Sequence, residues 1–313
     1  MMSASVESVC IFGSAARGTA DALSDKDVLI VTGNPCRRRQ LTRKWAGDGW
    51  SVAAYPPSRI RAMAHKGSLF VQHLKREGII ITDKLGWLVN LLNSAEPKQS
   101  YEDDFLLAVQ MIKPLERLCL GYWPQLMAAD LGFVFVRNAG IYALAERGVF
   151  EFSYERIVLG LVDIVGLTVA EVEILQRLRA LKVAYRSRDH TLVYLGDHRA
   201  LLEVCEKVAR TNVLSKIPED ASVRLFPIRY ATLRDIEARM IMQFDVGMLD
   251  HGGLGGDLSS IWKMVTAPRE YSWAIREIDP AWIASANQIL ARKALYVQIA
   301  GDKYLSPPTS LYR

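Results

Sequence analysis

Two short apolar runs, Val9-Cys10-Ile11-Phe12 and Val28-Leu29-Ile30-Val31, bracket a connection that opens on Gly13-Ser14 and closes on Asp25-Lys26-Asp27. No other stretch constrains the fold as much. Each run is too short for an ordinary helix and is stopped by turn residues, Gly13 in one case and Gly33-Asn34-Pro35 in the other. Both therefore read as buried strands. A strand that ends in Gly-Ser lets the backbone turn sharply and come close to a ligand. A short helix just after it points free amides at a phosphate, and the Ser14 hydroxyl adds a donor. Asp25 and Asp27 flank one residue at the start of the second strand, so alternation sets both carboxylates on one face. Two hard oxygen ligands on one face suit Mg²⁺, which prefers one or two carboxylates together with substrate phosphates and water. Singly, these features are commonplace, because Gly-Ser is usually a turn and Asp-x-Asp usually a solvated strand end. Their joint order is far rarer.

The rest of the first hundred residues alternates in the same way. Helical sequence runs from Arg37 to Ala46, and Trp50 to Tyr55 reads as a third strand ended by Pro56-Pro57. Ser58 to Arg76 is helical with a break at Gly67, and Ile79-Ile80-Ile81 is a fourth strand. The expectation is a small α/β unit. A polar stretch holding Pro97 follows, which puts a domain boundary after residue 98, with residues 1–98 as one domain and 99–313 as an all-α domain. In the second part Tyr101–Leu120 and Gln125–Glu146 are long periodic segments. Thr168-Val169-Ala170-Glu171 has the form of a capping box, ahead of Val172, Leu175, Leu178 and Leu181 at helical spacing. Further helices are expected at 199–210, 232–244, 258–265 and 280–299.

Composition narrows the partners. Half the residues are apolar, so a sizeable core is assured, and the net charge of +5 fits an anionic partner such as a nucleotide or RNA as well as it fits a plain soluble protein. The four cysteines, Cys10, Cys36, Cys119 and Cys205, are far apart, which argues against a cysteine zinc site and for reduced thiols in a cytoplasmic protein. The N-terminus lacks a signal-peptide profile, and charges interrupt the longest apolar stretches, so no membrane span is expected.

At Phe12 to Ile30 the sequence resembles the minimal nucleotidyltransferases of the polymerase-beta-like superfamily. Their pattern is a hydrophobic strand, Gly-Ser, often Ala-Arg-Gly, then Ser-Asp-x-Asp and a second hydrophobic strand, as in Gly13-Ser14-Ala15-Ala16-Arg17-Gly18 and Ser24-Asp25-Lys26-Asp27. The segment Lys66 to Gly78 also looks like bacterial proteins carrying this domain. The resemblance implies an α/β nucleotidyltransferase domain with a small mixed sheet, followed by an all-α domain. It implies that Gly13, Ser14 and Arg17 bind the nucleotide, and that Asp25 and Asp27 are the catalytic residues and hold Mg²⁺. A nucleotidyl group, AMP if the NTP is ATP, would pass to a hydroxyl acceptor as pyrophosphate leaves. The acceptor stays open among a protein, an RNA end, a small molecule and a second nucleotide. For Arg17 the competing reading is a structural ion pair to Asp21 or Asp25.

One departure matters. The family usually carries a third carboxylate on a neighbouring strand, yet Ser51 to Tyr55 holds no acid, Ala53 or Ala54 standing where one is expected. Glu77 and Asp83 flank the fourth strand without fitting clearly. Three explanations remain: a base from the helical part, a site that works with two carboxylates, or a protein that binds nucleotide or RNA without turnover and acts through partners, as in a toxin–antitoxin or phage-defence system. The helical part resembles the helical domains that follow such transferases, the HEPN type among them, but Tyr142 stands where the nuclease His following Arg137-Asn138 belongs, and Arg186 and His190 are too close together. Nuclease activity is not expected. Arg137, in an otherwise apolar helix, needs either an acid of the core or a substrate phosphate, and the acid is the favoured reading. Arg177, Arg179, Lys182, Arg186 and Arg188, with Arg37-Arg38-Arg39, attract RNA or else form a solvated face; the solvated face is favoured. The glycine-rich run after His251 lacks the Lys-Ser/Thr of a phosphate loop and reads as a flexible connection.

Overall fold

A computed structural model of the chain describes residues 6–116, 118, 122–187, 198–210, 229–245, 288 and 290. The N-terminal part is a four-stranded mixed sheet of order β3-β2-β1-β4, built from β1 (Glu7–Phe12), β2 (Asp27–Thr32), β3 (Ser51–Tyr55) and β4 (Ile79–Asp83). β1 pairs antiparallel with β2 and β4, and β2 pairs parallel with β3. The central strands are the two apolar runs, and Val28 to Val31 are fully buried. Alternation sends Cys10, Phe12, Leu29 and Val31 to one face. There they meet Ile60 and Ala64 of α3 (Pro57–His65), Val71 and Leu74 of α4 (Leu69–Glu77), and Leu88 and Leu92 of α5 (Trp87–Ser94). α1 is the single turn Ser14–Arg17, and α2 (Pro35–Gly47) packs on β2 and β3. Asn34 caps α2, its side chain accepting from the amides of Cys36 and Arg37 at 2.9 and 3.1 Å, an interaction worth about 1 kcal/mol.

Every strand expected from the sequence is present, and the helix over residues 58–76 breaks where Gly67 takes a positive φ of 61°. α5 was not expected. After the sheet the described residues are helical: α6 (Glu102–Val109), α7 (Ile112–Glu116), α8 (Tyr122–Ala145), α9 (Tyr154–Val165), α10 (Val169–Ser187), α11 (His198–Ala209) and α12 (Arg229–Asp245). The single helix expected over 101–120 is instead two. Pro114 lies in the first turn of α7, where its missing N–H goes unneeded. The capping box forms as expected, with the Thr168 amide donating to Glu171 at 2.6 Å and the Glu171 amide to the Thr168 hydroxyl at 3.3 Å. The helices expected at 258–265 and 280–299 and the glycine-rich run at 251–256 lie outside the described residues, apart from 288 and 290.

The chain divides into two compact units. One joins the residues up to Leu106 to Val136–Val172, and the other includes Leu107–Phe135 and the described residues of α10, α11 and α12 beyond Val172 and before Val208 or after Ile217. In the first unit the end of α8 and the loop after it pack on the sheet domain. Tyr101 donates its hydroxyl to the Gly67 carbonyl at 3.0 Å and its amide to Glu146 at 2.6 Å. Phe152 stacks on His73 with centroids 4.3 Å apart. In the second unit Asp130 is fully buried between Arg186, at 2.8 Å, and Arg234, at 2.5 Å. Trp123–Ala145 of α8 is long and apolar enough to cross a membrane by length and composition alone. Its most apolar stretch is 78% buried, as in a core helix.

Candidate active site

Strand register assembles the site. Phe12 pairs with Asp27, and Asp27 pairs on its other side with Ser51, so the end of β1 and the starts of β2 and β3 meet at one edge of the sheet. Gly13 follows Phe12 with φ 71° and ψ −149°, a conformation open to glycine and few other residues. A Cβ there would also approach the Asp27 Oδ2 to 3.2 Å. Gly13 is therefore needed twice, for the turn and for the carboxylate beside it. Ser14 donates its hydroxyl to the Asp25 carbonyl at 3.4 Å, a long contact tying the start of α1 to the approach to β2. The Ser51 amide donates to the Lys26 carbonyl at 2.7 Å and fixes that approach from the other side. The Lys26 side chain is exposed.

The two sequence-expected acids come together. Asp25 is exposed just ahead of β2, and Asp27 is half-buried as its first residue. Burial raises the Asp27 pKa above the ordinary value, and the charge of Asp25 raises it further. A hydrogen bond with Ser51 and the positive charges of Arg137 and His73 only partly offset this. Among the described residues neither Asp25 nor Asp27 forms an ion pair. Two adjacent carboxylates under mutual repulsion, with a glycine backbone beside them, are a donor set that a divalent cation fits.

Arg17 forms an ion pair, but not the one read from the sequence. It pairs with Glu77, not with Asp21 or Asp25. Its Nε is buried without a hydrogen-bond partner among the described residues. Glu77 also meets His73 Nε2 at 2.8 Å. Burial pushes the Glu77 carboxyl up, but His73 and Arg17 outweigh burial and hold it below the ordinary value. Arg17 thus stands at the end of a His73–Glu77–Arg17 relay whose histidine packs edge-on to Phe12 at 5.4 Å.

No third acid joins the pair among the described residues, and no group of three acids, histidines or cysteines there is arranged to hold a metal. Ser51 and Ala53 lie on the Asp27 face of β3, and Ala53 packs against the core cluster. Glu77 is held by Arg17 and His73. Asp83 accepts from Ser8 at 2.6 Å and from the amides of Leu88 and Val89 at 3.0 and 2.9 Å, so it caps α5.

Arg137 is the group the sequence reading assigned to a core acid. It is half-buried on α8, and among the described residues it forms no hydrogen bond or ion pair with any acid. The strongest attractive charge on it is that of Asp27, followed by Tyr142 and Asp25. A signal existed in the sequence: Phe133, Val134, Gly140 and Ile141, one turn away on either side, include no acid. Other basic residues are engaged. Arg37 pairs with Glu7 at 2.9 Å, Arg38 donates to the Thr32 carbonyl at 3.1 Å, Lys182 lies over the Phe133 ring at 4.4 Å, and Arg186 meets Asp130. Arg188 and His190 lie outside the described residues.

Residues 2–92 match the family model of the nucleotidyltransferase domain. The match takes in the whole sheet and ends within α5, so the N-terminal part of this chain is a nucleotidyltransferase-family domain, with a helical region after it. No curated protein matches the chain.

Proposed function

We propose that the edge formed by Gly13, Ser14, Asp25 and Asp27 binds a nucleoside triphosphate with Mg²⁺ and transfers its nucleotidyl group, AMP if the nucleotide is ATP, to a hydroxyl acceptor. The observation that carries this reading is the Asp25–Asp27 couple, without an ion pair among the described residues, beside the Gly13 turn and inside a nucleotidyltransferase-family domain. The domain extends over residues 1–98 in this reading, and 99–313 is the helical domain. When bound, Mg²⁺ supplies positive charge to the phosphates and to the oxygens that attack and leave. Asp25 and Asp27 hold it. The Gly13-Ser14 turn brings backbone and hydroxyl donors to the phosphates. Arg17, kept in place by Glu77, adds positive charge to the same edge. The acceptor oxygen forms a bond to the α-phosphorus, the bond from that phosphorus to the bridging oxygen breaks, and pyrophosphate leaves. The acceptor's proton passes to solvent or to a base.

A second reading is favoured by one observation, the missing third acid among the described residues. In it the same edge binds NTP without turnover and the chain acts through partners. Pyrophosphate release separates the two. Full-length chain is incubated with each NTP, Mg²⁺ and candidate acceptors (protein, RNA, small molecule, second nucleotide), beside the double variant Asp25→Asn/Asp27→Asn. Transfer predicts release by wild type and none by the variant. Release that is equal in both sinks the transferase reading, and NTP binding without release under every acceptor favours the second.

A further inference from the structure

We propose that Phe152, in the loop between α8 and α9, and the His73–Glu77 pair of α4 are positioning residues for Arg17, which holds phosphates of the nucleotide bound at the Asp25–Asp27 edge. This rests on the reading of that edge as an NTP and metal site.

The fold brings these groups to the turn that opens the site. The Arg17 amide donates to the Gly13 carbonyl at 3.1 Å, so the backbone of Arg17 is tied to the turn. Ser14 and Arg17 are three apart and share one side of α1. Glu77 reaches the same place from another direction. Ile79, the first residue of β4, pairs with Ile11, next to the Phe12 that leads into Gly13. α4 therefore ends against the end of β1 that carries the turn. Gly78 permits the approach, since a Cβ there would come within 2.8 Å of Cys10 Sγ. At this point Glu77 and Arg17 meet as an ion pair.

The pair does not use up the arginine. Glu77 engages Nη1 alone, and Nε is buried without a hydrogen-bond partner among the described residues. A guanidinium has five N–H donors in a fixed fork, and its pairs with carboxylates are frequently two-pronged. A one-pronged pair aims the group and leaves donors for a phosphate. His73 fixes Glu77 in turn, its Nε2 lying 2.8 Å from the same carboxylate oxygen that meets Arg17. The imidazole is edge-on to Phe12 at 5.4 Å and stacked on Phe152 at 4.3 Å, with 17° between the planes. Phe152 is buried, and Arg76 lies over Phe150 at 4.3 Å, so the loop meets α4 at two points. Phe152 lies beyond residues 2–92, which match the family model. The nucleotidyltransferase-family domain thus takes support for its arginine from the helical region.

The test is calorimetry on full-length chain with ATP, ADP and AMP in Mg²⁺, and with Mn²⁺ alone. Arg17→Met is expected to lower ATP affinity roughly 10- to 100-fold, the range for losing hydrogen bonds to a charged group. Phe152→Leu removes the stacking in an apolar setting, and Glu77→Gln removes the charge that aims Arg17. Each is expected to lower ATP affinity about 3- to 10-fold. The loss is larger for ATP than for AMP, disappears when Arg17→Met is already present, and leaves Mn²⁺ affinity unchanged within about twofold. A role in stability alone would act with or without Arg17. A folded F152L or E77Q that binds ATP like wild type overturns the proposal. So does a loss that persists in the R17M background or is equal for ATP and AMP. F152L alters no charge, so its losses for ATP and AMP decide the matter if E77Q or R17M does not fold. An F152L chain that does not fold overturns the proposal, since Phe152 is then structural. Wild type that binds Mn²⁺ and ATP while R17M binds ATP equally well overturns the relay and spares the edge. Wild type that binds neither overturns the reading of the edge, and with it the role of Arg17.

Discussion

Charge is handled in opposite ways in the two units of this molecule. In one, Asp130 is fully buried and closed in by Arg186 and Arg234, and Arg234 also meets Glu237 at 2.8 Å. In the other, Asp25 and Asp27 are neighbouring acids that form no ion pair among the described residues. Burial alone predicts that Asp130 is the harder carboxylate to ionise. The reverse holds. Burial pushes Asp130 up, but the two arginines outweigh it and its pKa falls below the ordinary value. Asp27 is less buried, yet its pKa is raised, because burial pushes it up, the charge of Asp25 adds to that, and no ion pair among the described residues offsets them. The closed cluster satisfies its charges within the fold, whereas the open pair supports the reading of a cation site.

The comparison breaks first at Asp130. Asp130→Asn removes the anion that both arginines face and is expected to cost about 3–5 kcal/mol, read by denaturant unfolding. A variant as stable as wild type shows the cluster was not closed. Glu77→Gln tests whether the Arg17 relay belongs with the closed cluster. It weakens the contacts of His73 and Arg17 and is expected to cost about 1–3 kcal/mol. The Glu77 pKa is depressed in the fold, so its contribution is present above the unfolded value and lost as pH falls. The gap between E77Q and wild type should therefore narrow in acid. The smallest effect has the opposite sign. The Asp27 pKa is raised in the fold, so stability is full below its unfolded value and declines as pH rises through the folded one. Asp27→Asn is expected to raise Tm by a few degrees at neutral pH, an advantage that shrinks in acid. A lower Tm at neutral pH places Asp27 with the structural charges instead.

What the sequence disclosed follows chain distance. Gly13, Ser14, Asp25 and Asp27 sit in one connection between neighbouring strands, so local pattern and strand alternation were enough to bring them together. The four strands and the capping box were legible for the same reason. Arg17 was not, because its partner Glu77 is sixty residues away and reaches it only through the packing of α4 on β1. The loss of the third acid was legible as a missing residue, but not its context, in which Ala53 fills the edge of the core. Arg137 was visible as an arginine out of place. Its surroundings depended on how the end of α8 packs against Tyr101, which no local pattern encodes. α5 was missed because its sequence, Trp87 to Ser94, runs without a break into the polar stretch read as a boundary.

The central claim is that the open acids at the sheet edge are a nucleotide and metal site. Calorimetric titration of ATP with Mg²⁺ into full-length wild type and into Asp25→Asn/Asp27→Asn, each checked for a cooperative thermal transition, tests it most directly. Wild type is expected to bind, and the folded double variant is expected not to. Equal affinity in the two proteins would contradict it.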